Sequence, residues 1–318
     1  MKFLAYACLA LVVVEFGVRL IELSVGSSLS DSQRLAAAKL RPGQWVRGRY
    51  TNSWGYWDRE FEAVAAPVGT RRIALLGDAT LFAGGAETNV SSMLERLLPR
   101  TEVDHFAVTQ GGPGEFLAQF QEDVIRRRPE QMIVCLSMAP MAVKAAEESS
   151  FARWHTLHLL QAIVGPTTAH AEADPFMIDL GQGADYDEYV RRRAATIDAC
   201  RADAEDSQLR ADQAAIARLA EVCARQQIPL KLVLVPGEFQ LSPQLTASFA
   251  RRREVEPATL DLELPQRRWR AFGEHLGVDV VDLLPALKAS GEIVYCTNSA
   301  EWNDRGISLT AETIARGL

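Results

Sequence analysis

The residues best suited to chemistry stand in one short stretch, Leu76-Gly77-Asp78-Ala79-Thr80, with Gly84-Gly85 just beyond it. An apolar run from Ile73 to Leu76 ends there at a glycine and a carboxylate. A run this short, bounded by charge and glycine, reads as a buried parallel strand. In open α/β sheets ligands bind beyond the carboxyl ends of the strands, so residues 77 to 85 form the expected site. Asp78 can accept backbone N–H groups and hold the turn, and Thr80 adds a hydroxyl beside it. The other reactive side chains offer less. Of His105, His155, His158, His170 and His275, only His105 lies by a strand near this turn, and a packed or solvated imidazole is the expectation for each. Cys8, Cys135, Cys200, Cys223 and Cys296 show no CxxC or Cys/His spacing, so no zinc, other metal or cofactor site is expected. Cys200 with Cys223 is the disulfide pair to test, although buried free thiols are the expected state.

Alternating strands and helices must position that turn. Ile73 to Leu76 is followed by a helical pattern near Asn89 to Leu98, a second strand from Val103 to Val108 and a helix from Glu115 to Arg128. Met132 to Leu136 reads as the third strand. A long polar region, residues 138–210, then precedes a helix from Gln213 to Gln226, with Ile216, Leu219, Ala220 and Cys223 on one face. Leu230 to Val235 is the fourth strand, stopped by Pro236. A helix around Arg267 to His275 leads to a fifth strand, Val278 to Leu283, and Leu309 to Gly317 closes the chain. Right-handed crossovers then give an α/β fold, a three-layer, doubly wound, five-stranded parallel sheet of flavodoxin-like type. Residues 138–210 are the insertion expected to cover the site.

The 318 residues, 48% of them hydrophobic, suffice for one full core plus extra segments. A net charge of -7 on a mixed surface argues against nucleic acid as a partner, and Arg191-Arg192-Arg193 and Arg251-Arg252-Arg253 read as solvated helix faces. Residues 1–26 hold an apolar segment, Phe3 to Val25, interrupted by Glu15, Arg19 and Glu22 and about long enough to span a bilayer. A retained transmembrane anchor is the first reading and a cleaved signal peptide the second. Glu15 and Arg19 stand four apart and can pair on one helical face. Arg34, Lys39 and Arg41 follow the segment, against the positive-inside trend, but long domains translocate regardless, so the soluble part is expected outside the cytoplasm. Residues 27–66 form a juxtamembrane arm with Trp45, Tyr50, Trp54, Tyr56 and Trp57, whose rings either cap the domain edge or stack on carbohydrate. Residues 67–318 are the main domain.

In this order, several motifs resemble the SGNH (GDSL-type) hydrolase superfamily, in particular membrane-tethered members linked to cell-envelope polysaccharide acylation. They are Asn52-Ser53-Trp54-Gly55-Tyr56 with Asp58-Arg59-Glu60, Gly69-Thr70-Arg71-Arg72-Ile73, Leu76-Gly77-Asp78-Ala79-Thr80, the Leu230 to Pro236 strand with Gln240, and Trp302-Asn303-Asp304-Arg305-Gly306. In that superfamily a serine on the Gly-Asp-Ser turn attacks an ester carbonyl, activated by a histidine that an aspartate orients. The resemblance puts Ala79 at the serine, Glu301 at the histidine and Asn298 at the aspartate. The segment from His105 to Gly112 and Ser137-Met138-Ala139-Pro140 stand where the oxyanion donors belong. Only the backbone N–H of Gly111 or Gly112 remains on offer, and losing one such donor costs about 10²- to 10³-fold in rate.

The resemblance therefore implies an esterase fold with a degenerate site. Its expected ligand cleft comprises Gly77, Asp78, Ala79, Thr80, Gly111, Gly112, Ser137, Glu301 and Trp302. The leading expectation is a membrane-anchored binding or accessory protein that contacts an envelope glycan or polysaccharide-modification proteins. The alternative is an active esterase or O-acyltransferase on acylated glycans with non-standard residues, Glu301 activating water or Thr80 attacking. A scaffold with a filled cleft is the third.

Overall fold

The computed structural model describes residues 39–46, 49–61, 66–82, 88–108, 111–139, 186–203 and 207–318, with residues 13 and 35 singly. The expected anchor, residues 1–26, lies outside them apart from residue 13. Among the described residues no helix is long and apolar enough to cross a membrane.

A small antiparallel hairpin, β1 (Trp45–Val46) with β2 (Arg49–Tyr50), comes first. The main sheet begins at β3 (Arg71–Gly77) and continues through helix α1 (Val90–Leu97), β4 (Thr101–Ala107), α2 (Pro113–Glu122) and β5 (Gln131–Ser137). Within the expected insertion lies α3 (Tyr186–Arg193), and then come α4 (Ser207–Arg225), β6 (Leu230–Val235), α5 (Pro243–Arg252), α6 (Leu264–Leu276), β7 (Asp279–Asp282), α7 (Leu284–Ser290) and α8 (Asp304–Arg316). The strands run in the order β4-β3-β5-β6-β7, all parallel. This is the expected five-stranded doubly wound sheet, with its order reversing beside β3.

Strand alternation divides the core. Ile73 and Leu75 of β3, Ile133 of β5 and Val233 of β6 face a layer with Val90 and Leu94 of α1 and Ile307, Ala311 and Ile314 of α8. Ala74, Leu76, Met132, Val134, Leu232 and Leu234 face the other layer, where α2, α4 and α6 supply Phe116, Phe120, Ile216, Leu219 and Trp269. Both faces are dry, which is why these strands read as unbroken apolar runs. A third, smaller cluster joins Tyr189, Val190, Ile197, Cys200, Phe239 and Phe249 over the end of the sheet.

The aromatic segment after the hairpin is part of the main core. Asn52 Oδ1 accepts the Trp54 and Tyr56 N–H groups at 3.0 Å each, closing a turn around Gly55 at φ 83°. That turn drives Tyr56 inward against Phe61 and Phe106 and places its hydroxyl on Asp123. Tyr56, Trp57 and Phe61 are buried, so these rings belong to the interior and only Trp45 and Tyr50 are widely exposed. Cys135, Cys200, Cys223 and Cys296 are free thiols, so the Cys200–Cys223 pairing is not formed.

Candidate functional site

The turn after β3 has the expected form. Asp78 follows the strand directly, and its Oδ1 accepts the Thr80 N–H at 3.0 Å as well as the Thr80 hydroxyl. Asp78 and Thr80 are both buried. Burial raises the Asp78 carboxyl above its ordinary value, opposed by the Thr80 hydrogen bonds and by the positive charge of Arg193. Gly77 is required for space: a Cβ there would lie 2.2 Å from Leu81 Cδ1 and 3.3 Å from Cys135 Cβ. The Thr80 hydroxyl is thus committed to its neighbour's carboxylate, and Thr80 lies behind the turn.

Beyond the carboxyl ends of β3, β4 and β5 lies a cleft of about 270 Å³ that brings together Asp78, Gly111, Gly112 and Ser137. Phe116, Leu136, Met138 and Trp269 give it an apolar floor. Gly112 and Pro113 open α2, with the Gly112 N–H bound by Glu115 Oε2 at 2.9 Å. That donor is occupied, which leaves Gly111 as the backbone group at the cleft. Asp212 on α4 also lines it, and burial raises that carboxyl to about 6. The cleft can hold a small apolar group beside the carboxyls of Asp78 and Asp212 and the Ser137 side chain.

The sequence reading missed the charge that governs this region. Helix α3 buries Tyr189, Val190 and Arg193, an i, i+1, i+4 face, while Glu188 pairs with Arg191 and Arg192 on the solvent side. The expectation of a wholly solvated arginine run is therefore corrected at Arg193: the helical period turns the third guanidinium inward. Arg193 donates from Nε to Glu238 Oε1 at 3.0 Å, from Nη2 to Glu238 Oε2 at 3.3 Å and from Nη2 to the Ala139 carbonyl at 2.8 Å. Tyr189 completes the cluster, donating to Glu238 Oε1 at 2.7 Å. Burial acts to lower the Arg193 guanidinium, but Glu238 outweighs it, and the group stays charged. A signal for Glu238 was present, because Pro236-Gly237-Glu238 ends β6 just as Gly77-Asp78 ends β3. The Arg251-Arg252-Arg253 run is exposed as expected.

The C-terminal motif sits elsewhere. Asn303 caps α8, its Oδ1 accepting the Gly306 N–H at 2.9 Å, and Trp302 is packed in the layer of α1 and α8. Glu301 is buried, and neither it nor Trp302 lines the cleft. Asn298 adopts a left-handed φ of 52° and opens instead onto a separate groove of about 880 Å³, between α5, α7 and the 291–299 loop. Glu238 and Tyr189 line that same groove. Of the positions that the resemblance assigns to a triad, Asn298 opens onto this second groove, whereas neither Ala79 nor Glu301 lines either cavity. His105 is buried in β4, with burial lowering its imidazole to about 4, so it is a packed neutral ring.

No protein-family model and no curated protein matches the chain. Solved structures do resemble it. A lipase/acylhydrolase from Enterococcus faecalis shares 11% identity over 78% of this chain and 95% of its own, with a TM-score of 0.43. A lipolytic protein of the G-D-S-L family from Desulfitobacterium hafniense shares 13% over 78% of this chain and all of its own, with a TM-score of 0.44. A catalytic mutant of an acetylxylan esterase from Geobacillus stearothermophilus shares 13% over 78% and 94%, with a TM-score of 0.44. These likenesses concern overall shape and say nothing of the residues in this chain's site.

Proposed function

We propose that this chain is a membrane-anchored SGNH-type protein whose esterase site has been converted to a non-catalytic one, serving as a binding or accessory component of cell-envelope polysaccharide modification outside the cytoplasm. The family assignment is supported by the ordered motifs and by the reversal of strand order beside the Gly77-Asp78 turn. The loss of catalysis is supported above all by one observation, the buried Arg193–Glu238 pair that puts a permanent cation beside Asp78. A hydrolase of this type needs a neutral base within hydrogen-bond reach of a hydroxyl. Ala79 has no hydroxyl, the Thr80 hydroxyl is held by Asp78, and a guanidinium cannot accept a proton. Glu301, the base that the resemblance offers, lies outside both cavities. The surviving cleft, with its apolar floor and carboxyl rim, is suited to holding an acylated ligand without cleaving it.

The full chain should not hydrolyse p-nitrophenyl acetate above a heat-treated control, and Ala79→Ser should not raise the rate. Turnover by the wild type, abolished by Glu301→Gln, would overturn the degenerate reading. Titration calorimetry with acetylated oligosaccharides should give binding that Gly111→Val weakens, and no heat with any of them would leave the cleft without a ligand role.

A further inference from the structure

The hairpin β1–β2 holds two of the most exposed aromatic side chains in the described structure, Trp45 at 72% and Tyr50 at 52% of full exposure. They are cross-strand partners in edge-to-face contact, with ring centroids 5.7 Å apart. Such a pair helps a short hairpin to form, yet this contact leaves most of both rings in water. The hairpin is also fixed to the body of the protein. The Thr51 hydroxyl donates to the Arg41 carbonyl at 2.7 Å, the Thr51 N–H bonds the Gln44 carbonyl at 3.0 Å, and the next residue, Asn52, belongs to the clamp that seats Tyr56 in the core. The rings are therefore presented on a closed hairpin whose second strand runs directly into that clamp.

Two further facts concern what covers them. In a chain of net charge -7, the stretch from Arg34 to Arg49 holds Arg34, Lys39, Arg41, Arg47 and Arg49 and no acidic residue. Lys39 is engaged by Asp123, whereas Arg41 is exposed beside the hairpin. The apolar N-terminal segment ends at Val25, and ten residues on, at Leu35, the chain is already buried in the core; that length spans no more than about 36 Å even when fully extended.

We propose that the β1–β2 hairpin is a second membrane contact, with the rings of Trp45 and Tyr50 seated at the headgroup level of a bilayer that contains anionic lipid. Indole and phenol rings favour that level because one end is apolar and the other polar, and basic side chains nearby are drawn to anionic headgroups. The contact rests on the anchored reading above. It would fix the orientation of the domain on the membrane and set the cleft at a constant height above it.

The full chain is reconstituted into nanodiscs of phosphatidylcholine with phosphatidylglycerol, with and without a lipid carrying a doxyl quencher just below the headgroup. The wild type should show tryptophan quenching that Trp45→Phe largely removes, and replacing phosphatidylglycerol by phosphatidylcholine should reduce it. Equal quenching in the two proteins, or quenching indifferent to the anionic lipid, overturns the proposal. A Trp45-dependent emission change on adding cello-oligosaccharides, in place of quenching, assigns the rings to sugar stacking and overturns it too. Carbonate extraction of the same samples reports on the N-terminal segment alone. Retention with equal quenching removes the hairpin contact and keeps the anchor; release, with vesicle flotation that still depends on Trp45, removes the anchor and keeps the hairpin.

Discussion

Arg193 grips Glu238 through two hydrogen bonds, Nε to Oε1 at 3.0 Å and Nη2 to Oε2 at 3.3 Å, with both side chains almost wholly buried at the end of the sheet. The pair joins the insertion to the β6 turn, and through the Ala139 carbonyl it also reaches the end of β5. Breaking a buried pair from one side leaves an uncompensated charge, at a cost of about 3–5 kcal/mol, whereas removing both charges costs far less. Arg193→Met and Glu238→Gln should each lower the urea midpoint strongly, and Arg193→Met with Glu238→Met should recover part of the loss. A double variant no better than the worse single one would mean that the pair does not act as a unit.

The two buried titratable groups at the edge of β4 should respond to acid with opposite signs. Burial lowers His105 from 6.5 to about 4, so between those values the unfolded chain takes up a proton that the folded one refuses, and stability falls as pH falls. Asp58, whose Oδ2 accepts the His105 N–H at 2.7 Å, is raised by burial from 3.8 to about 8. Over that window the folded state holds the extra proton, and stability rises as pH falls. His105→Asn should therefore flatten the loss of urea stability between neutral and mildly acidic pH, by up to about 3 kcal/mol. Asp58→Asn should steepen it. Equal slopes in the two variants would contradict this assignment.

The segment before the expected domain start should prove indispensable. Tyr56 gives its hydroxyl to the Asp123 carboxylate and receives a bond from Gln119 Nε2 at 3.2 Å, all in the interior. Tyr56→Phe should cost about 1.5–3 kcal/mol, the range for a bond to a charged partner. A chain beginning at residue 67 would lose Tyr56, Trp57 and Phe61 together and should be proteolysed rapidly, whereas one beginning at residue 39 should resist. Equal resistance would support the boundary near residue 66 that the sequence suggests.

What the sequence made legible follows from physics that is local. The strands were readable because central parallel strands are apolar on both faces, and Ile73 to Leu76, Met132 to Leu136 and Leu230 to Val235 all lie inside observed strands. Helices α5 and α7 were not read, since each is short and carries a proline in its first turn, Pro243 and Pro285. Asp78, Gly111, Gly112 and Ser137 meet at one cleft because each ends or follows a strand. Arg193 was hidden because burial of a charge depends on a distant partner, here Glu238, and Asp212 because the cavity that it lines is assembled from segments far apart in the chain; no local pattern encodes either. Glu301 and Trp302 were placed at the cleft by resemblance, but the loop from 291 to 299 carries their neighbours toward a different groove.

Gly77 offers the sharpest test of what holds the turn after β3 in its form. Its φ is not in the left-handed region, so backbone freedom is not the reason for glycine here. The reason is contact: an added Cβ would meet Leu81 Cδ1 at 2.2 Å and Cγ at 3.0 Å, and Leu81 is fully buried in the layer of α1 and α8. Leu81 can escape only by pressing on its own neighbours, so Gly77→Ala should destabilise by about 1–3 kcal/mol, the usual cost of overpacking. Adding Leu81→Ala should relieve the clash, making the double variant more stable than the sum of the singles predicts. Strict additivity in a thermal or urea double-mutant cycle would show that Gly77 is kept for another reason, and the turn would then have to be explained by what binds there.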